Sequence, residues 1–83
     1  MKIMVAIHDT KAEVYETPAP IKNRAIAIRS FSEMCKDKNS NLAKFPGDYN
    51  LEIIGAFDEE EGKLIGTKPE IIAKATDYAE IDA

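Results

Sequence analysis

The sequence predicts one small α+β domain over residues 1–83, with an antiparallel or mixed sheet of three to four strands. Two helices are expected to pack on one face of this sheet, in a split β-α-β-like arrangement. Three observations favour this class. Apolar residues alternate over residues 2–8 and 49–57, they recur at helical spacing over 24–36, and helix-start signals occur at 67–70.

The first strand is predicted over residues 2–8, where β-branched residues alternate with others. One face of it carries Ile3, Val5 and Ile7, and the other carries Met4, Ala6 and His8. After a turn at 9–11, residues 12–16 return as a short second strand. The prolines at 18 and 20 then hold the chain extended, because each fixes its own φ and disfavours helix before it.

The first helix is predicted over residues 24–36. Asn23 can cap it by accepting a free backbone N–H group. Its apolar stripe is expected to contain Ile21, Ala25, Ile28, Phe31 and Cys35. Residues 42–45 can add one turn before Pro46 ends it.

A long strand is predicted from Tyr49 to Asp58, followed by four consecutive acidic residues, 58–61, and Gly62. Apolar residues resume at 64–65, so the acidic run is expected to be a solvated hairpin loop in which glycine supplies a positive φ. A calcium loop needs ligands at alternating positions and a later bidentate glutamate, which the run lacks. No metal or cofactor is therefore expected.

The last helix is predicted from residue 67 onwards. Thr67 and Glu70 have capping-box spacing, and Pro69 suits a first helical turn. The inner stripe of this helix is expected to be Ile71, Ala75, Tyr78 and Ala79. Residues 80–83 are expected to fray.

Composition restricts the function classes. The net charge is −4, but residues 1–46 carry eight Lys/Arg against five acids, and residues 47–83 carry three against ten. Such a split gives a dipolar surface.

No apolar run approaches the ~20 residues that cross a bilayer, and residues 1–10 do not have the pattern of a signal peptide. The single cysteine, Cys35, is expected to fill the core.

Catalysis is not indicated. His8 lies beside Asp9, but adjacent residues of a strand face opposite sides, and no Ser or Cys is placed by a local motif as a nucleophile. The glycine-rich phosphate loop, HExxH and GxSxG are absent from the sequence. The protein is therefore predicted not to be an enzyme.

Cationic residues cluster on and after the first helix, namely Lys22, Arg24, Arg29, Lys36, Lys38 and Lys44. Together with Lys11 and Tyr15 they can follow a phosphate backbone while an aromatic ring stacks on a base. An ordinary solvated helix surface explains the same pattern, so both interpretations stay open at this point.

The second face of the sheet is predicted to be apolar. Met4, Ala6, Ile54 and Ala56 would share it, and helices on the other side would leave it open. Such a patch is typical of an interface. Dimerisation or docking to a partner protein is the expected use, although nucleic acid can also lie across a sheet.

The sequence also resembles the small nonstructural, DNA-binding proteins of gokushoviruses, which are microviruses with circular single-stranded DNA. The likeness begins with DTKAEVY at 9–15 and Pro18, and continues with AIRSF at 27–31. NLAKFPGDYNL at 41–51 and GAFDEEEGKL at 55–64 complete it, so that about two thirds of the chain is covered in order.

The resemblance implies a phage protein in the cytoplasm of an infected bacterium, binding single-stranded DNA and assisting viral strand synthesis or packaging. It implies no catalytic residues, and Lys11, Tyr15 and Arg29 match its polar or aromatic positions. The alternative is an adaptor that docks to a replication or capsid protein, or self-associates as a homodimer, through the open sheet face or the acidic half of the chain.

Overall fold

The computed structural model describes residues 1–79, which form a five-stranded antiparallel sheet and two helices. The strands are β1 (Lys2–Asp9), β2 (Val14–Tyr15), β3 (Ala19–Ile21), β4 (Tyr49–Asp58) and β5 (Lys63–Lys74). The helices are α1 (Arg24–Lys36) and α2 (Asn41–Lys44). The α+β class is confirmed, but the sheet has five strands instead of the three to four predicted. Residues 80–83, which were predicted to fray, lie outside the described residues.

The sheet has the order β2-β1-β4-β5, and β3 pairs with β1 on the same edge as β2. Residues 14–21 first run back along β1, and α1 then returns the chain to the end at which β1 finishes. At that end, the backbone N–H of Thr10, just after β1, donates to the carbonyl oxygen of Asp48, just before β4, over 2.8 Å. Because β4 starts at that end, it runs antiparallel to β1, and the split β-α-β arrangement predicted from the sequence is wrong.

Helix α1 has the predicted bounds. The Asn23 side chain caps it by accepting a hydrogen bond from the Ile26 N–H over 2.9 Å. Its buried stripe is Ala27, Phe31 and Cys35, so the predicted inner position Ala25 is wrong, and that residue is exposed. The buried stripe is the side of the helix that meets the sheet. Ala27 lies on that side, whereas Ala25, two residues earlier, does not.

The core lies between α1 and one face of β1, β4 and β5. It is built from Val5, Ala27, Phe31, Cys35, Leu42, Tyr49, Leu51, Ile53, Ala73 and Ala75. The Phe31 and Tyr78 rings meet edge to face, with centroids 6.4 Å apart. Cys35 is fully buried, which confirms its predicted place in the core, and this burial raises the pKa of its thiol.

The acidic run forms the hairpin loop between β4 and β5, as predicted. Asp58 pairs with Lys63 at the end of the ladder, and its Oδ1 accepts the backbone N–H groups of Glu60 and Glu61. Gly62 has a φ of 65°. The Glu59 carboxylate lies 3.3 Å from the N-terminal amino group, so part of this charge is neutralised by the start of β1.

The last helix predicted from residue 67 is wrong. Residues 67–74 belong to β5, and only Ala75–Asp77 form a short 3-10 turn. The capping-box spacing of Thr67 and Glu70 is a local signal, which the hydrogen-bonded ladder with β4 overrides. Pro69 is tolerated because β5 is an edge strand and its register with β4 shifts between Ile53 and Gly55.

The predicted apolar sheet face is also altered, by a β-bulge in β4. Val5 pairs with Ile53 and Met4 pairs with Gly55, so Ile54 is the extra residue. Alternation therefore reverses beyond it, and Ala56 lies opposite Ile3 instead of on the face of Met4. Ala6 is buried. The four residues predicted to form one open patch, Met4, Ala6, Ile54 and Ala56, do not share one exposed face.

Within residues 1–79, neither helix has the length and apolar character needed to cross a membrane.

Candidate functional site

Two aromatic rings and a buried carboxylate meet on the sheet face opposite α1. His8 and Tyr15 are direct cross-strand partners, and their rings stack with centroids 4.0 Å apart and planes 7° from parallel. Tyr15 donates its hydroxyl hydrogen to Glu52 Oε1 over 2.8 Å. His8 Nδ1 lies 2.6 Å from Glu52 Oε2. Each carboxylate oxygen therefore holds one ring, and we call these three residues the ring cluster.

Alternation along the strands explains why the ring cluster forms on this face. Val5, Ile7 and Leu51 point toward α1, so their neighbours Ala6, His8 and Glu52 point away from it. At this end of the sheet, Tyr15 pairs with His8, His8 with Asn50, and Asn50 with Lys74. These residues therefore form one cross-strand row over four strands. We call these four residues the sheet row, which is polar and begins with an aromatic ring.

Burial differs sharply within the ring cluster. Glu52 is only 3% exposed, whereas Tyr15 is 43% exposed at the edge of the sheet. The hydrogen bond to Glu52, followed by partial burial and the carboxylate charge, raises the pKa of the Tyr15 hydroxyl. The described residues contain no buried side-chain polar atom without a partner. The carboxylate is thus held under the rings with both oxygens satisfied.

The histidine and the aspartate that follow each other in sequence do not form a pair. Asp9 Oδ1 accepts the backbone N–H groups of Lys11 and Ala12, which fixes the turn after β1. His8 instead bonds Glu52, 44 positions away. Asp9 and Glu16 lie on the other face of the sheet, near Tyr49. Burial of the Tyr49 hydroxyl, together with the negative charges of Asp9 and Glu16, raises the pKa of that hydroxyl. Among residues 1–79, no group of three or more His, Cys, Asp or Glu side chains is arranged to hold a metal ion.

The cationic residues occupy a different surface. The predicted set of Lys22, Arg24, Arg29, Lys36 and Lys38 is exposed on and beside α1. Lys11 is exposed in the turn between β1 and β2. Tyr15 and the α1 cations therefore lie on opposite faces of the sheet, and the fold does not bring all seven predicted DNA contacts together.

Both arginines of the chain have carboxylate partners. Arg24 forms a two-pronged pair with Glu70 of β5, over 2.6 and 2.9 Å. Arg29 Nε lies 3.7 Å from Glu33, one turn later on α1. Both pairs are largely exposed, so solvent and salt weaken them.

Substituting Arg24→Gln is expected to raise the pKa of the Glu70 carboxyl toward its ordinary value. The Arg24 hydrogen bonds now lower that pKa. The pair therefore adds stability above the unfolded pKa of about 4.5, and this contribution is lost as pH falls through the folded pKa. A carbon-13 NMR titration of the Glu70 carboxyl from pH 7 to 2 measures the change. Arg29→Gln is the control, because Arg29 pairs with Glu33, and it should leave the pKa of Glu70 unchanged.

A second feature is an apolar cleft of about 350 Å³ between α1 and the segment that holds β2 and β3. Its walls include Ile21, Ala27, Phe31 and Met34. Glu16, Thr17 and Ser30 are its polar lining residues. The cleft is a part of the core that is open to solvent.

Sequence reasoning singled out Tyr15 as a DNA contact and considered His8 only for catalysis, and it missed Glu52, Asn50 and Lys74. A glutamate inside an apolar alternation, in YNLEIIG at 49–55, was the one available signal. It marks Glu52 as the partner of something polar, but the identity of that partner depends on the pairing of β1 with β4 and β2.

Comparison with known proteins places the chain in a family. No curated protein and no solved structure matches it. A family model described as "Phage ORF5 protein" matches residues 2–78, which is nearly the whole chain and includes the ring cluster, the sheet row and α1. The chain therefore belongs to the Phage ORF5 protein family.

Proposed function

We propose that this chain is a non-enzymatic phage protein that binds single-stranded DNA in the cytoplasm of the infected bacterium. It assists the synthesis of viral single strands or their packaging. Membership of a phage family supports the setting, and the resemblance to gokushovirus nonstructural proteins suggests the nucleic acid. No cofactor is needed for such a role.

The observation that carries the proposal is the exposed cationic surface of α1. Residues 22–38 hold five Lys/Arg against two acids in a chain whose net charge is −4. Arg29 and Lys36 are two helical turns apart on the side that faces away from the buried stripe. A surface of this kind can follow a phosphate backbone without reading its sequence.

The arginine–carboxylate pairs are compatible with this role. Exposed pairs are weak and exchange readily with other partners. Arg29 is 84% exposed at its side chain, so a phosphate can replace Glu33 without a change of fold. Binding is therefore expected to be weak, independent of sequence and sensitive to salt.

Substituting Arg29→Glu and Lys36→Glu together is expected to weaken binding of a fluorescein-labelled oligothymidylate, measured by fluorescence anisotropy at several salt concentrations. Each phosphate contact to a single strand contributes roughly 0.7 to the slope of log K against log salt, so the slope should become shallower by roughly 1.4 or more. Lys63→Glu, at the hairpin tip, is the matched control and should leave the slope unchanged. If the double variant keeps the affinity and the salt slope of the wild type, the α1 surface is not the DNA-binding site.

A second function is favoured by β5. It is the terminal strand of the sheet, and residues 63–71 are exposed in succession, with Leu64 70% exposed. An edge of this kind can accept a strand from another protein. The partner would be a phage replication or capsid protein, or a second copy of the chain. Absence of DNA binding at low salt in the anisotropy titration would favour this adaptor function over the first.

A further inference from the structure

We propose that the ring cluster is a preformed stacking platform for one nucleobase, and that Glu52 is its positioning residue. This inference rests on the proposed function, because it assumes that single-stranded DNA is the ligand. It assigns the base contact to the sheet face opposite α1, where the cationic surface does not reach.

Tyr15 is 43% exposed, and we infer that this exposed surface includes the outer face of its ring. Strand β2 is the last strand on its edge of the sheet, and His8 covers the inner face of the ring. Because the two rings are parallel within 7°, the stack points outward past the edge. A flat base can therefore be added as the third layer.

Glu52 makes this ring rigid. An exposed tyrosine on a two-residue edge strand would ordinarily sample several rotamers, but here its hydroxyl is anchored to a buried carboxylate over 2.8 Å. The same carboxylate fixes His8, which supports the ring from behind. A platform ordered before binding loses less conformational entropy when the base arrives.

The charges near the platform favour a base over a phosphate. Asp9 pairs with the core residue Tyr49, Glu16 lines the cleft beside α1, and Glu52 is buried under the rings. No cation of α1 lies on this side, so the contact is through the π-face of a base, which every nucleotide offers. Lys74 ends the sheet row three strands away, roughly 14 Å at the usual strand spacing, where it can meet a phosphate of the same DNA strand.

The test compares two labelled oligonucleotides of equal length and charge, one of thymidines and one built entirely of abasic sites. Wild-type protein is expected to bind the thymidine strand about 5- to 150-fold more tightly, since stacking on an aromatic ring is lost with the bases. Tyr15→Ala should abolish this difference and leave both the abasic affinity and the salt slope unchanged. Tyr15→Phe keeps the ring without the anchor and should give an intermediate preference, as should Glu52→Ala.

Val14→Ala, at the exposed neighbouring position of β2, is the matched control and should keep the full preference. Circular dichroism checks that each variant is folded. Equal affinity of the wild type for the two oligonucleotides overturns the platform while the proposed function stands. A preference that survives Tyr15→Ala also overturns it. Failure of the wild type to bind either oligonucleotide at low salt overturns both proposals.

Discussion

Substituting Phe31→Ala is expected to lower the free energy of unfolding by about 3–5 kcal/mol, because it removes a large buried ring and leaves a cavity. Phe31 is 1% exposed and lies where α1 meets the sheet. Its ring also meets Tyr78 edge to face, so its loss removes one of the contacts between α1 and the segment that follows β5. Urea denaturation followed by circular dichroism measures the effect.

The size of this effect calls for a graded series. A domain of 83 residues is expected to have a stability of roughly 4–12 kcal/mol, so Phe31→Ala can leave little folded protein. Phe31→Leu should show a smaller loss in the same direction. Ile26→Ala, on the same helix but exposed, should change stability by less than about 0.5 kcal/mol. If Phe31→Ala and Ile26→Ala behave alike, the packing of α1 described above is wrong.

The elements that local sequence determines were predictable. Helix α1 has the bounds expected from Asn23 and from the apolar spacing, since capping and amphipathic burial act within one segment. Strands β1 and β4 follow from period-two alternation, and the loop between β4 and β5 follows from acidic residues ending in glycine.

The elements that depend on long-range pairing were not predictable. Residues 67–74 carry helix-start signals, yet β4 offers them a hydrogen-bonded partner along the edge of the sheet. The isoleucines at 71 and 72 are β-branched and suit a strand. This local preference is small, however, and the strand is determined mainly by the hydrogen-bonded ladder with β4. Local rules therefore predicted the wrong element for residues 67–74.

The candidate site shows the same limit. Tyr15 and Arg29 were singled out from the sequence as DNA contacts, but only the strand register shows that they lie on opposite faces. Glu52 acquires its role because the β4 register places it under two stacked rings that come from β1 and β2, within hydrogen-bond distance of both. The bulge at Ile54 likewise divides a face that simple alternation would keep whole.

Substituting Gly55→Ala is expected to destabilise the protein by about 1–3 kcal/mol or somewhat more, as overpacking of a close backbone contact does. Gly55 is buried in β4 opposite Gly66 of β5. A Cβ atom at position 55 would overlap the carbonyl oxygen of Ile65, and it would lie 3.4 Å from the Gly66 Cα. Backbone cannot rotate away as a side chain can, so the two strands of the hairpin must separate there. Urea denaturation measures the loss, and hydrogen exchange of β5 amides locates it.

Gly66→Ala provides a matched control within the same cross-strand pair. A Cβ atom at position 66 meets no heavy atom within 4 Å, and Gly62, not Gly66, is the described glycine with a positive φ. The alanine should therefore be neutral, or stabilising by about 0.4–1 kcal/mol through the reduced entropy of the unfolded chain. Opposite effects from two facing glycines would identify the close approach of β5 to β4 as the cause. Equal effects would show that the register shift between Ile53 and Gly55 does not bring the backbones together at this point.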